Sequence, residues 1–304
     1  MSSLLPRLLL IGVAVVAAWE SVSSLRPPRI SDGDVHALAV AVRAAHSPGE
    51  LIAVAPAWLS PLVQRELGDL MPVEHLSRPD AKRFARITEV SLPSFHSPDV
   101  SGLVSDGTQR FGLLQLSRYQ QTPVTVPFDL TEHFLDATVS QVPQHASDAV
   151  ERPCLWTGPL PGTTAPAPGL QLGGFSCGST RSERRTMEID YQPRRGIVTD
   201  LESGHRTLLR FSIPDDAWQG STLHLWLGLH DYHQRKQAQG PANVTVDLDD
   251  GQAKKELTIE VRQGFVHHEL ALPQRRADVH HVRIELSAQQ APHHLVGLHG
   301  ELRR

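Results

Sequence analysis

Residues 223–233 read LHLWLGLHDYH, and this stretch decides the fold of the C-terminal part of the chain. Leucines occupy every second position from Leu223 to Leu229, which is the period of a β-strand with one face in a core. His224 and Trp226 alternate with the leucines and point to the opposite side. The pattern therefore predicts a strand with a buried leucine face and a second face that displays an indole between imidazoles.

The same alternation recurs through the last third of the chain. Turn signals such as Asp250-Gly251 and Gln263-Gly264 separate the alternating segments. The predicted strands cover residues 186–191, 207–213, 222–230, 244–249, 256–262, 265–272, 280–286 and 294–302. Short strands at this spacing, with no helical periodicity between them, predict an antiparallel β-sandwich of the jelly-roll type over residues 186–304.

Residues 28–142 have a different pattern. An amphipathic helix is predicted over Asp32 to His46, and the short apolar run Leu51 to Ala55 (LIAVA) suits a buried parallel strand. A further helix is predicted over Asp80 to Ala85. Alternating helices and strands predict a small three-layer α/β domain, so the whole chain is expected to be an α+β protein of two domains.

A stretch rich in proline, glycine, alanine, threonine and serine, residues 143–185, separates the two patterns. It contains Cys154 and Cys177, the only two cysteines of the chain. An even number of cysteines in an exported chain predicts a disulfide, here one that closes a loop within a connector. Two cysteines do not supply a zinc site of the four-cysteine kind.

The N-terminal region, residues 1–27, contains the apolar run Leu8 to Trp19. Twelve residues are short for a membrane span and typical of the apolar part of a signal peptide. An uncleaved signal anchor is the prediction, and a cleaved signal with secretion is the alternative. Arginine far outnumbers lysine, which is typical of a GC-rich bacterial genome. The protein is therefore expected on the periplasmic face of an inner membrane.

Composition excludes several classes of function. The 304-residue chain has a formal net charge of -4, which removes the basic surface that nucleic-acid binders need. A single apolar segment excludes a transporter with several membrane spans. The sequence contains no phosphate-binding loop, no dinucleotide fingerprint and no HExxH motif, so no cofactor is predicted.

The histidine-rich segment around Trp226 is the candidate binding site. An indole flanked by hydrogen-bonding side chains suits stacking against a sugar ring. Two or three of the histidines with Asp231 could instead bind a divalent metal, and a third interpretation is that both faces of the strand are buried or that the polar residues are incidental. The candidate ligand-binding residues are His224, Trp226, His230, Asp231, Tyr232 and His233.

Three other motifs have simpler explanations. Residues 174–178 (GFSCG) match the nucleophile-elbow pattern but lack a core strand before and a helix after the serine. Asp247-Leu248-Asp249 matches a DxD motif and ends in a hairpin turn. Adjacent histidines on a strand face opposite sides, so none of the three His-His pairs is expected to chelate a metal as a pair.

Two resemblances add to this interpretation. Residues 206–304 resemble galactose-binding-like jelly rolls of the carbohydrate-binding-module type, through LRFSIP at Leu209, HLWLGLHD at His224, NVTVDLDDG at Asn243 and the closing GLHGELR at Gly297. This resemblance implies a fold and carries no functional residue across. Residues 41–58 (AVRAAHSPGELIAVAPAW) resemble soluble extracytoplasmic segments of polyprenyl-sugar-dependent membrane glycosyltransferases.

The sequence as a whole favours a non-catalytic envelope protein. Its β-sandwich is expected to bind a carbohydrate or an envelope protein, in a role such as surface polysaccharide assembly. One alternative is a glycan-acting enzyme with a site between the domains, for which Asp129, Glu132 and Asp136 are candidate carboxylates. However, acids at a helix start usually serve the helix dipole. The other alternative is an assembly protein without a small ligand.

Overall fold

The structure is a computed structural model. It describes residues 30–144, 150–158, 173–178, 180–189, 192–229, 241–260, 264–288 and 293–304. Within these ranges, no helix is long and apolar enough to cross a membrane. The predicted signal anchor at Leu8 to Trp19 lies outside the described residues, as do His230, Asp231, Tyr232 and His233 of the candidate site.

The described residues divide into two compact units. Unit 1 contains residues 30–70 and 86–120, and unit 2 contains residues 71–85 and the described residues from 121 to 304. The units are drawn differently from the predicted domains, because residues 71–85 and 121–142 belong with the sandwich. The segment at 143–185 also contributes strands to unit 2.

Unit 1 combines two helices with a four-stranded sheet. The elements are helices α1 (Asp32–Ala45) and α2 (Ser60–Leu67), strands β1 (Leu51–Ala55), β2 (Arg86–Ser91), β3 (Ser105–Phe111) and β4 (Leu114–Gln120), and 3-10 turns at Ala57–Leu59, Gly68–Leu70 and Pro98–Val100. The strand order is β1-β2-β4-β3. Helix α1 begins with a capping box between Ser31 and Asp34, which satisfies amide groups that a helix start leaves free.

Unit 1 confirms part of the predicted α/β domain and corrects the rest. The predicted first helix is confirmed, with Val35, Leu38 and Val42 buried on one face. The predicted strand at Leu51 is confirmed and pairs in parallel with β2. However, β4 runs antiparallel to both β2 and β3, so the sheet is mixed. Helices α1 and α2 pack against each other and therefore lie on one face, so the described part of unit 1 has two layers and not three.

Unit 2 is an antiparallel β-sandwich. Its elements are helices α3 (Val73–Leu76) and α4 (Asp215–Trp218), a 3-10 turn (Glu132–Asp136), and strands β5 (Phe128–Asp129), β6 (Thr138–Pro143), β7 (Arg152–Pro153), β8 (Leu155–Thr157), β9 (Gly174–Cys177), β10 (Thr180–Ile189), β11 (Gln192–Glu202), β12 (His205–Pro214), β13 (Thr222–Leu229), β14 (Ala242–Leu248), β15 (Ala253–Ile259), β16 (Val266–Ala271), β17 (Val279–Ala288) and β18 (His293–Arg303). One sheet has the order β16-β13-β18-β11-β10-β9-β8, with β5 beside β18. The other has the order β15-β14-β17-β12-β6-β7.

The core of unit 2 lies between these two sheets. Alternate residues of β13, β14, β17 and β18 are buried there, in agreement with the period-two pattern of the sequence. All of the predicted C-terminal strands are confirmed. The sequence pattern missed β11, which links β10 to β18, and the short strands β5 to β9. The predicted helix at Asp80 to Ala85 is wrong, because these residues form turns.

The predicted disulfide is confirmed. Cys154 and Cys177 are bonded, with their Cα atoms 4.6 Å apart. Cys154 lies between β7 of one sheet and β8 of the other, and its amide donates to the carbonyl of Val139. Cys177 ends β9, which pairs with β8. The disulfide therefore fastens the point at which the chain crosses from one sheet to the other.

Candidate functional site

The two faces of β13 separate as the sequence predicts. Leu223, Leu225, Leu227 and Leu229 are buried in the core between the sheets. Trp226 faces the opposite side of the eight-stranded sheet but is only 3% exposed. The prediction that this face displays an open indole is therefore wrong, and the alternative with both faces buried is correct.

Charged and aromatic neighbours cover the ring of Trp226. The imidazole of His267 stacks on it at 4.5 Å between ring centroids, and His299 meets it edge-on at 5.6 Å. The guanidinium carbon of Arg303 lies 4.7 Å from the ring centroid, a cation–π contact. Arg303 is in turn held by both carboxylate oxygens of Asp80, at 2.9 and 3.0 Å. No face of this indole is open for a sugar.

The segment that supplies Asp80 runs across the outer face of the eight-stranded sheet, and we call residues 71–85 the cover segment. The carbonyl oxygen of Ser77 accepts from the amide of Arg195 on β11 at 2.8 Å. Further along, Asp80 reaches Arg303 on β18. The cover segment therefore spans two neighbouring strands of the sheet. These contacts join residues more than a hundred positions apart, which local sequence patterns cannot predict.

His224 and His267 form a neutral pair beside Trp226. Their Nδ1 and Nε2 atoms are 2.9 Å apart, so one ring must donate a proton and the other must accept it. Burial lowers the pKa of His224 to about 4, and the charges of Arg303 and His267 add to this effect. Burial also lowers the pKa of His267, followed by the charge of Arg303. The pair therefore carries no charge at neutral pH.

A network of buried ion pairs adjoins this histidine pair. Glu301 on β18 is fully buried, and its Oε1 atom accepts from Nε of Arg303 at 2.6 Å. Its Oε2 atom is bonded to Arg83 of the cover segment, and the same guanidinium group donates to Oδ2 of Asp129 at 2.6 Å. Burial raises the pKa of Asp129, but His299 and Arg83 outweigh it and hold this pKa below its ordinary value.

His299 lies beside the two carboxylates of this network. Its Nδ1 atom is 3.1 Å from the hydroxyl of Thr131, while its Nε2 atom makes no hydrogen bond within the described residues. Burial lowers the pKa of His299 to about 4, with opposing contributions from Asp129 and the backbone of Arg195. One atom each from Asp129, His299 and Glu301 lies within 4.8 Å of the others, a spacing that suits a metal ion.

A partial signal for this cluster is present in the sequence. Asp129 was a candidate carboxylate of the enzyme alternative, and its Oδ1 atom indeed accepts amides at the start of a 3-10 turn, the structural role expected there. His299, Glu301 and Arg303 were missed. They stand at every second position of the closing strand, so they share one face, and three polar residues on one face of a central strand are the signal that could have found them.

The other predicted motifs have structural roles. Asp247 accepts from the amide of Gly251 at 2.6 Å and so closes the β14–β15 turn. Asp249 is buried and bonded to Nδ1 of His280 at 2.9 Å, while Nε2 of His280 is 2.9 Å from Asp215. His280 also stacks on Trp218 at 4.5 Å. These contacts tie a hairpin turn to helix α4, which explains the DxD motif without a nucleotide or a metal.

The other candidate carboxylates and the GFSCG motif do not come together in one site. Glu132 pairs with Arg184 and Arg195, and Asp136 pairs with His133, all at the surface. Residues 174–177 of the GFSCG motif form strand β9, which is paired on both sides, with β8 and with β10, and Cys177 is oxidised. No nucleophile elbow is formed there.

An exposed aromatic surface occurs in unit 1. Among the described tryptophans, Trp58 is 65% exposed, whereas Trp156, Trp218 and Trp226 are half-buried or buried. Trp58 follows β1, and Phe95, 49% exposed, follows β2. Because β1 and β2 are parallel, both aromatic residues lie at the edge where the two strands end, where ligands bind in open α/β sheets.

A histidine–carboxylate pair accompanies these two rings. Glu89 of β2 is fully buried, and its Oε2 atom is 3.1 Å from Nδ1 of His96, which is itself largely exposed. The same oxygen accepts from the hydroxyl of Tyr119, and Oε1 accepts from the amide of Ser97 at 2.6 Å. Glu89 therefore fixes the orientation of His96 and leaves its Nε2 atom for a ligand. We call Trp58, Phe95 and His96 the aromatic edge.

Comparisons with known proteins give matches among solved structures only. No protein-family model matches the chain, and no curated protein matches it. The chain is similar to the CBM51-2 and INT domains of Clostridium perfringens ZmpB, solved with GlcNAc (10% identity, TM-score 0.31), where 42% of this chain aligns with 28% of the other. The chain thus spans little more than a quarter of that protein's length.

Two further matches are single modules. One is the CBM51 of Clostridium perfringens GH95 in complex with methyl-galactose, with 11% identity and a TM-score of 0.27, covering 41% of this chain and 89% of that one. The other is the xylan-binding module CBM15, with 11% identity and a TM-score of 0.26, covering 54% and 95%. These matched structures are carbohydrate-binding modules, the class that residues 206–304 are expected to resemble. The resemblance of residues 41–58 to glycosyltransferase segments stays a prediction.

Proposed function

We propose that this protein is a non-catalytic, extracytoplasmic carbohydrate-binding protein, and that a sugar ring stacks on Trp58 at the aromatic edge. The exposed indole of Trp58 carries this proposal. An aromatic side chain that is 65% exposed contributes little to the stability of the folded chain, so a role in binding would explain its position. An indole presents a broad apolar face that matches the C–H face of a pyranose ring.

The neighbours of Trp58 supply what else a sugar needs. Phe95 extends the apolar surface at the same edge of the sheet. His96, held by buried Glu89, offers a ring nitrogen to a hydroxyl group. A few oriented polar groups beside apolar surface are the usual composition of a small-molecule site. Pro56 follows β1 directly, and no glycine-rich loop is present there to hold the phosphates of a nucleotide.

The proposed location outside the cytoplasm is supported by the disulfide. Disulfides persist in oxidising compartments and are rare in the cytosol. The Cys154–Cys177 bond closes a separation of 23 residues. We propose that the apolar run Leu8 to Trp19 delivers the chain to such a compartment and anchors it there. Cell fractionation with thiol labelling tests this, because a cytosolic chain with both thiols reduced would contradict the proposal.

Binding to polysaccharides tests the proposed function. The full chain, produced in an oxidising compartment, is titrated calorimetrically with a panel of bacterial polysaccharides and their oligosaccharides. Trp58→Ala is expected to weaken binding at least tenfold, because it removes the stacking surface. Leu155→Ala is the matched control, since Leu155 is an apolar side chain of unit 2 that is 72% exposed. It should bind as the wild type does.

Two outcomes would contradict this proposal. The first is a well-folded wild-type protein that binds no glycan of the panel, which would favour a protein-assembly role. The second is glycan binding that Trp58→Ala leaves unchanged, which would place the sugar elsewhere. Phe95→Ala refines the result, because a smaller loss than that of Trp58→Ala would identify Phe95 as an extension of the stacking surface.

A glycan-acting enzyme is the second candidate, and one contact favours it. The exposed His96 is hydrogen-bonded to the buried carboxylate of Glu89, which is the arrangement that orients a histidine general base. Release of reducing ends from a bound glycan would support this candidate. His96→Gln would then abolish release and leave binding largely intact, whereas binding without release at any pH supports the non-catalytic function.

A further inference from the structure

The geometry points to a divalent-cation site in unit 2, formed by Oδ2 of Asp129, Nε2 of His299 and Oε2 of Glu301. This site is independent of the aromatic edge and of the proposed carbohydrate binding. One ligand atom from each residue lies within 4.8 Å of the others, close enough for one ion to reach all three. His299 is 5% exposed, and its Nε2 atom has no hydrogen-bond partner within the described residues.

Each of the three residues is held by its other polar atom. Oδ1 of Asp129 accepts from the amides of Thr131 and Glu132, at 2.8 and 3.1 Å. Nδ1 of His299 is 3.1 Å from the Thr131 hydroxyl. Such outer contacts orient metal ligands and set the tautomer of a ligating histidine. A proton on Nδ1 leaves the lone pair of Nε2 directed toward the carboxylates.

Glu301 is oriented in the same way, and rigid strands carry two of the ligands. Oε1 of Glu301 is bound by Arg303, which leaves Oε2 toward the cluster. His299 and Glu301 lie two positions apart on β18, so they share a face. Asp129 on β5 is the register partner of Glu301. The three ligands are therefore placed by strand pairing and do not depend on a loop closing around the ion.

Arg83 supplies the positive charge between the two carboxylates. Its guanidinium group bridges Oδ2 of Asp129 and Oε2 of Glu301, the same two oxygens that would ligate the ion. The Arg83 side chain is 34% exposed, so it can turn toward solvent when a cation takes its place. Because Arg83 belongs to the cover segment, cation uptake would remove one of the contacts that hold this segment to the sheet.

The chemistry of the ligands selects the type of cation. One imidazole nitrogen and two carboxylate oxygens suit Zn²⁺ or Mn²⁺, with water in the remaining positions. Ca²⁺ prefers six to eight oxygen ligands and is the natural comparison ion. A neutral imidazole is the form that binds metal.

Calorimetric titration of the chelator-treated full chain with Zn²⁺ alone tests the inference, with Ca²⁺ in parallel. We expect one Zn²⁺ site that Asp129→Asn and His299→Gln both remove. Arg83→Ala should tighten this site about tenfold or more, because it removes a competing positive charge. Arg184→Ala is the matched control, since Arg184 pairs with Glu132 at the surface at the same 2.6 Å distance. It should leave Zn²⁺ affinity unchanged.

Arg83→Ala leaves all three proposed ligand residues unchanged. Its effect on Zn²⁺ affinity can therefore be measured even if a variant of a ligand residue fails to fold. Zn²⁺ binding that is insensitive to Arg83→Ala, Asp129→Asn and His299→Gln would place the ion on other histidines and overturn the inference. The absence of binding to both the wild type and Arg83→Ala would also overturn it. Circular dichroism of each variant separates loss of a ligand from loss of the fold.

Discussion

Trp58 and Trp226 are in opposite situations. Trp226 lies on a strand whose alternation suggests an open polar face, yet it is 3% exposed beneath the Asp80–Arg303 pair. Trp58 lies in a short turn after a buried strand and is 65% exposed. Strand alternation therefore assigns residues to a face but does not tell whether another part of the chain covers that face.

The largest expected difference between these residues is in stability. Trp226→Ala should lower the free energy of unfolding by about 3–5 kcal/mol, because it empties a packed site. Trp58→Ala should change it by less than about 0.5 kcal/mol, because the side chain is exposed. Denaturant unfolding of both variants gives the two values. Equal losses of stability in the two variants would contradict this prediction and show that Trp58 is also a structural residue.

A smaller effect is expected at His280, within the core of unit 2. Burial lowers the pKa of His280, but hydrogen bonds to Asp215 and Asp249 outweigh burial and raise this pKa above 6.5. Because the folded chain holds this proton more tightly, the stabilisation is complete below pH 6.5 and is lost as pH rises through the folded-state pKa. His280→Gln should cost about 1–3 kcal/mol at pH 5.5 and less at pH 9.

Thermal unfolding across this pH range measures that dependence. Lys254→Gln is a suitable surface control, since Lys254 is exposed and pairs with exposed Glu256. A His280→Gln deficit that stays constant or grows between pH 5.5 and pH 9 would contradict the charged state assigned to His280. A constant deficit would leave this residue with a purely steric role.

The smallest expected effect is a change in how steeply the free energy of unfolding depends on pH under acid conditions. It tests whether His224, on the same face of β13 as Trp226, is shielded from water. Burial, the charge of Arg303 and the charge of His267 lower the pKa of His224 to about 4. Between pH 6.5 and 4 the unfolded chain therefore binds the proton more readily than the folded chain, so stability falls as pH falls. His224→Gln should flatten this part of the stability curve. A wild-type slope in the variant would show that His224 is open to water.

The sequence predicted much of the fold because the relevant signals are local. The leucines of β13 and the alternating residues of β14, β17 and β18 match the core residues of the sandwich. The apolar run at Leu51 predicted a parallel strand, and the two cysteines predicted a disulfide. Each of these features follows from the period of a strand or from a count of cysteines.

The candidate sites were less predictable because they depend on contacts between distant residues. Arg83 meets Glu301 across a separation of 218 positions, and Arg303 meets Asp80 across 223. Neither ion pair produces a pattern among neighbouring residues from which it could be predicted. The sequence pattern places the cover segment in the α/β domain, with a helix over Asp80 to Ala85, although the segment belongs to unit 2 and contacts the sandwich. Of Asp129, His299 and Glu301, only Asp129 is a candidate on sequence grounds.

Local sequence patterns are sufficient to predict which residues of each strand share a face, where the sandwich lies and which cysteines pair. Tertiary structure decided which faces are covered, and so turned Trp226 from an expected ligand platform into a buried ring. The physical reason is that alternation and helical periodicity report on neighbours within a few positions. Burial of a charged or aromatic side chain depends on partners that folding brings from elsewhere in the chain.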